Sequence, residues 1–255
     1  MSLGKCHLCG EEKPLVNSHV IPEFLYAPLY EPNDHRLLVI PARPGKRIQI
    51  LQEGLKEKLL CQDCERCLSK WEGYARTLLE GGSTRASMRT ESEDHMEISN
   101  IRYDQLKLFQ LSVLWRASIS TLPMFSAVEL GEHSHRLHNM LLRPFPGDSY
   151  EYGCIMMTMK AGSGLVDMIR SPDRITIDSV DCIRFLMGGF VWVYAVTQNG
   201  RTFPMRNMFL QERGTLVILK QNAANTEFLP AELSILRERA QDVDRISKRS
   251  RKRGR

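Results

Sequence analysis

Two Cys-x-x-Cys pairs constrain this chain more than any other feature: Cys6-His7-Leu8-Cys9 near the start and Cys61-Gln62-Asp63-Cys64 farther along. Four thiolates in paired short spacings fit a closed tetrahedral zinc site. Gly10 follows the first pair, where the tight turn of a zinc knuckle needs left-handed backbone that glycine adopts without strain. A structural zinc ion binds with roughly 10 to 16 kcal/mol, enough to fold a segment with little apolar core. Loss of zinc is therefore expected to unfold residues 1–80. The remaining cysteines, Cys67, Cys154 and Cys182, are scattered, and the total of seven is odd. That usage indicates metal and free thiols in a reducing compartment, not a disulfide framework.

Between the pairs lies Asn17-Ser18-His19-Val20-Ile21-Pro22, a short apolar strand broken by proline, with His19 near its end. A polar excursion through Pro28, Pro32, Pro41 and Pro44 follows, in which 37–40 and 47–51 can pair as a hairpin. After the second pair, Leu68, Trp71, Ala75 and Leu78 recur at helical spacing, so a helix starts directly from the metal site. Glu65, Ser69 and Glu72 share another face of that helix and offer a second place for a metal. Gly81-Gly82-Ser83 and the polar run to Asn100 mark a helix stop and a linker.

Beyond the linker, residues 101–119 carry apolar side chains on two opposite faces, which predicts a helix enclosed on most sides. A second helix is expected at 134–142, with His133, His135 and His138 on an exposed face. Strands are expected at 154–159, 175–177, 190–196 and 216–219. Pro230 opens a last helix with an apolar stripe through Leu233, Leu236, Ala240 and Val243. The expected class is α+β: a small N-terminal zinc-bound ββα module over 1–80, a linker over 81–100, an α+β domain over 101–244 and a basic tail over 245–255.

Charge is distributed unevenly, and its location matters more than its sum. The net charge is +5, while the stretch from Arg245 onward carries seven basic residues and no acid, so residues 1–244 stand at −2. Residues 1–80 balance eleven basic against eleven acidic side chains. Attraction to phosphate must come from local arrangement or from the tail, with Arg249, Arg251, Lys252 and Arg253 as its densest part. No apolar run approaches the ~18 residues of a membrane span, and the first residues lack the apolar core of a signal peptide. A cytoplasmic location without membrane association is expected.

Taken together, Cys6-x-x-Cys9, Ser18-His19-x-Ile21-Pro22 and Leu60-Cys61-x-x-Cys64-Glu65 resemble the zinc-stabilised branch of the HNH nucleases, whose fold is a ββα-metal finger of treble-clef type. The likeness covers residues 6–72. It implies that His19 is the general base activating water against a phosphodiester, that zinc on Cys6, Cys9, Cys61 and Cys64 is structural, and that magnesium or manganese serves the chemistry. Ser18 stands where the family has an acidic residue or histidine, and Glu65 where it has its last histidine or asparagine. The family's middle asparagine has no counterpart among residues 56–60. Leu114-Trp115-Arg116-Ala117 further resembles a helix found in bacterial two-domain proteins that carry a Ser-His-x-Ile-Pro finger. Three function classes follow: a metal-dependent endonuclease, DNA ahead of RNA, in defence or mobile-element conflict; a noncatalytic zinc finger that binds nucleic acid; and a zinc module that docks a protein partner, with the second domain as a further partner surface.

Overall fold

A computed structural model of the chain describes residues 3–27, 37–39, 49–51, 54–80, 88–161, 164–165 and 169–222. The expected last helix and the basic residues Arg249, Arg251, Lys252 and Arg253 lie outside the described residues. The architecture is mixed α+β.

The N-terminal part is built on a three-stranded antiparallel sheet, β1 (Leu3–Lys5), β2 (Glu12–His19) and β5 (Lys56–Cys61), with β2 in the middle. The register Leu15↔Cys61 places the end of β5 beside the first knuckle. β3 (Leu37–Val39) and β4 (Gln49–Leu51) form the expected hairpin. Helix α1 (Gln62–Leu79) follows β5 without a connecting loop and starts inside the second cysteine pair. Leu68, Trp71, Ala75 and Leu78 are its buried side chains, so the 3.6-residue period read from sequence is the period that packs.

The larger sheet runs in the order β10-β11-β12-β8-β13-β7-β6, with β9 paired at the side of β8. Its strands are β6 (Met88–Glu91), β7 (His95–Ser99), β8 (Cys154–Ala161), β9 (Gly164–Leu165), β10 (Arg170–Ile177), β11 (Val180–Met187), β12 (Phe190–Ala195) and β13 (Leu216–Asn222). Every pairing is antiparallel except that of β13 with β8. The segment expected as a linker is thus corrected: residues 88–99 supply two strands of the sheet, with β7 joined to β13 through Ile98↔Leu216. Alternation in β7 is short, with only Met96 and Ile98 buried, and charged neighbours masked the strand pattern.

Helix α2 (Tyr103–Ile119) packs against α1 and against α3 (His133–Leu142), and its side chains reach both the N-terminal part and the large sheet. Every residue of α2 from Leu106 to Ala117 is buried. Phe109 explains why: its ring meets Phe24 of the N-terminal part at 5.9 Å and Trp192 of β12 at 6.1 Å. The polar residues on such a helix must find partners inside the protein. Lys107 donates to the carbonyls of Glu151 at 2.6 Å and Tyr152 at 3.2 Å, and Arg116 to that of His19 at 2.7 Å.

Strand β12 is buried along its whole length because both faces of the sheet are covered. Phe190, Trp192 and Tyr194 face α2, while Val191, Val193 and Ala195 join Phe203 and Phe209 on the other side. The buried cluster on the α2 side is continuous from Cys6 to Ile218 and includes apolar residues of both parts of the chain. One close approach fixes their docking. Gly188, at φ +60 in the β11–β12 turn, has Leu25 Cδ2 at 2.5 Å from where a Cβ would stand, so a side chain there would strain the turn and displace Leu25.

Candidate metal centre and histidine site

Cys6 and Cys9 sit on the turn after β1, Cys61 ends β5, and Cys64 lies in the first turn of α1. Their four Sγ atoms all lie within 4.8 Å of one another, and they form the only metal-competent group of three or more His, Cys, Asp or Glu side chains among the described residues. Cys9 Sγ stands 3.9 Å from Cys61 Sγ. A tetrahedron with Zn–S bonds of about 2.3 Å has edges of about 3.8 Å, so the spacing fits. The cluster can hold a metal ion such as zinc.

The turn that builds the site matches the sequence expectation. Gly10 takes φ +75 and its N–H donates to the Cys6 carbonyl at 2.8 Å. The Cys61 N–H points to Cys6 Sγ at 3.3 Å. Burial raises the Cys6 thiol, but N–H groups of Cys9, Cys61 and Leu8 outweigh it and bring the value down to about 7. Cys9 and Cys64 go the other way: burial comes first for both, the Cys6 sulfur adds to it at Cys9 against the pull of the Glu11 backbone, and all three other sulfurs add to it at Cys64. Four thiols crowded this closely cannot all ionise without a cation among them.

His138 corrects one reading from sequence. It does not stand on an exposed face: its Nε2 donates to the Leu8 carbonyl at 2.8 Å and so ties α3 to the first knuckle. His133 likewise meets the Tyr152 hydroxyl at 3.1 Å, and only His135 is exposed. A cleft of about 930 Å³ opens between the knuckle and α3, with Lys5, His7, His135 and His138 on its polar side and Trp115 and Ile119 on its apolar side. Among the described residues, no carboxylate lines it.

His19 is the last residue of β2 and pairs with Lys56 of β5. Its Nε2 lies against the carboxylate of Glu23, as an ion-pair partner and not as an aligned hydrogen bond, four residues on in the 3-10 turn Glu23–Leu25 that Pro22 starts. Burial lowers the His19 pKa below the ordinary 6.5; Glu23 and Glu72 raise it, and Lys56 and Arg116 lower it further. The neutral ring therefore dominates at neutral pH.

Ser18 is fully buried and donates from Oγ to Glu65 Oε2 at 2.7 Å, joining the strand before His19 to the first turn of α1. Burial raises the Glu65 carboxyl and Glu72 adds to it, against the pull of Ser18 and Arg116. Glu72 does not share an ion site with Glu65. Its Oε1 lies 2.6 Å from Arg116 Nη2, as an ion pair and not as an aligned hydrogen bond. Ser69 turns away to its own helix, bonding the Glu65 carbonyl at 2.9 Å.

Sequence reading missed Glu23 and Arg116. The signal for Glu23 was present as an acid four residues after His19; Arg116 stood in the singled-out Leu114-Trp115-Arg116-Ala117 segment, but only the packing of α2 shows that it reaches His19. Compared with protein-family models, curated proteins and solved structures, the chain finds no match. Among the described residues, no helix is long and apolar enough to cross a membrane.

Proposed function

We propose that the chain is a zinc-stabilised, HNH-type, metal-dependent endonuclease that hydrolyses phosphodiester bonds in nucleic acid, DNA ahead of RNA. The observation that carries the reading is the Ser18–Glu65 hydrogen bond beside His19. The two positions that flank the base in the resembled family meet here although they are 47 residues apart. In this reading zinc on Cys6, Cys9, Cys61 and Cys64 is structural.

His19 acts as the general base. The Glu23 carboxylate stands against Nε2 without an aligned hydrogen bond, and its negative charge favours the proton on that nitrogen, which leaves Nδ1 as the proton acceptor for an attacking water. Glu65, with the Ser18 hydroxyl at its side, would be the carboxylate that holds magnesium or manganese. That ion would supply positive charge to the phosphate as its own charge builds up. Phosphates can meet Lys5, His7 and His135 in the acid-free cleft, and the tail residues Arg249, Arg251, Lys252 and Arg253 add non-specific attraction.

The test is cleavage of plasmid, linear DNA and RNA by the zinc-loaded chain with magnesium, manganese or nickel. His19→Ala should lower the rate by about 10² to 10⁴ while zinc content and nucleic-acid affinity stay near wild type. The rate of the wild type should fall only below the ordinary histidine value, because burial holds the base neutral above it. Binding without cleavage under every ion would leave a noncatalytic zinc-finger binder, and neither binding nor cleavage would leave a protein-docking module.

A further inference from the structure

Helix α2 carries an arginine whose side chain has no exposed surface, and its contacts gather at His19. Arg116 Nη1 donates to the His19 carbonyl at 2.7 Å, Nε to the Ser112 carbonyl at 3.3 Å, and Nη2 pairs with Glu72 at 2.6 Å. A guanidinium can hold two carbonyls at fixed angles while setting its charge against a carboxylate, which a lysine amine on a flexible stem does less well. Burying such a charge is costly, and an apolar residue of similar size would fill the space more cheaply. Packing alone therefore does not account for an arginine here. Glu72 comes from α1, His19 from β2 and Arg116 from α2, so three elements converge on one cation.

We propose that Arg116 is the positioning residue of the His19 site, clamping the His19 carbonyl and the Glu72 carboxylate so that the second half of the chain completes a site otherwise built in the first. This rests on reading His19 as the functional base and names what holds it. Because Arg116 joins α2 to both groups, a shift of α2 moves the His19 backbone and the Glu72 charge together. The charged groups that act on the His19 ring are Glu23 in the following turn, Lys56 opposite in β5, Glu72 on α1 and Arg116 on α2.

The experiment is an NMR titration of the His19 imidazole in the full zinc-loaded chain, the signal being assigned by its absence in His19→Ala. Arg116→Met removes the cation and leaves Glu72, so the His19 midpoint should shift upward. Arg116→Met with Glu72→Gln removes both charges and should bring the midpoint back toward wild type. Arg116→Lys keeps a charge but loses the fork, so the midpoint should stay low while the His19 carbonyl carbon shift changes. If Arg116→Met fails to fold, Glu72→Gln carries the test, with an expected downward shift. A residue that only packs would lower stability without moving either signal, and unchanged His19 signals in folded variants overturn the proposal. The readout does not depend on cleavage. Shifts in a chain that never cuts support the positioning role and defeat the nuclease reading, whereas cleavage by wild type with unmoved His19 signals does the reverse.

Discussion

Removing the metal should melt one end of the N-terminal part and leave the rest standing. The nine residues 3–11 bury only two side chains, Cys6 and Leu8. Ordering them costs roughly 1 to 2 kcal/mol each, on the order of 9 to 18 kcal/mol. Burying Leu8 returns about 1.5 to 3 kcal/mol. The bonds Cys6–Glu11, His7–Leu59, Gly10–Cys6, Cys61–Cys6 and His138–Leu8 return about 1 kcal/mol apiece. The shortfall is about 1 to 11 kcal/mol, reduced somewhat by the β1–β2 ladder, and the roughly 10 to 16 kcal/mol of a structural zinc site covers it. Helix α1 is different: Leu68, Trp71, Ala75 and Leu78 are buried and join the continuous core without the metal's help.

The expectation that the whole of residues 1–80 unfolds is therefore replaced by a local one. Chelation, or Cys9→Ser with its lowered zinc content, should abolish amide protection over residues 3–11 and in the first turn of α1. Residues 68–78 should keep theirs in hydrogen-exchange mass spectrometry. Full protection of 3–11 without metal would show that the knuckle is held by other forces. Loss of protection across α1 and α2 together would show that the core cannot stand without the ion, and either result refutes the ledger.

Glu65→Gln should weaken divalent-ion dependence in a way that higher magnesium or manganese partly restores, whereas no ion concentration should rescue His19→Ala; cleavage measured against ion concentration separates them. Lys107, buried and brought down to about 8 mainly by that burial, is protonated less in the folded than in the unfolded chain between pH 8 and its ordinary 10.5. Stability from this group therefore rises with pH across that window, and Lys107→Met should flatten the rise in urea midpoints while costing about 1 to 3 kcal/mol through the carbonyls of Ser149, Glu151 and Tyr152 that lose its donor. Truncation after residue 244 removes seven basic residues. If the tail contacts phosphate, nucleic-acid binding should weaken for all sequences alike, with the logarithmic salt slope reduced by about 0.7 to 0.9 per lost contact.

What the sequence determined by itself was whatever local spacing encodes. Two Cys-x-x-Cys pairs and one glycine specify a knuckle because a thiolate pair on a tight turn has few geometries, and the four sulfurs do converge. The buried face of α1 followed from its 3.6-residue period, and the burial of α2 from apolar residues on opposite faces. The tertiary structure decided what lies between distant segments. It joined β7 to β13, turned His138 from a surface residue into a tie on the knuckle, and set Arg116 against His19 across 97 residues. Periodicity reports which face of an element is apolar, but not which polar groups will be shut in with it. That depends on the partners each buried donor finds once the chain has closed, and a single sequence does not display them.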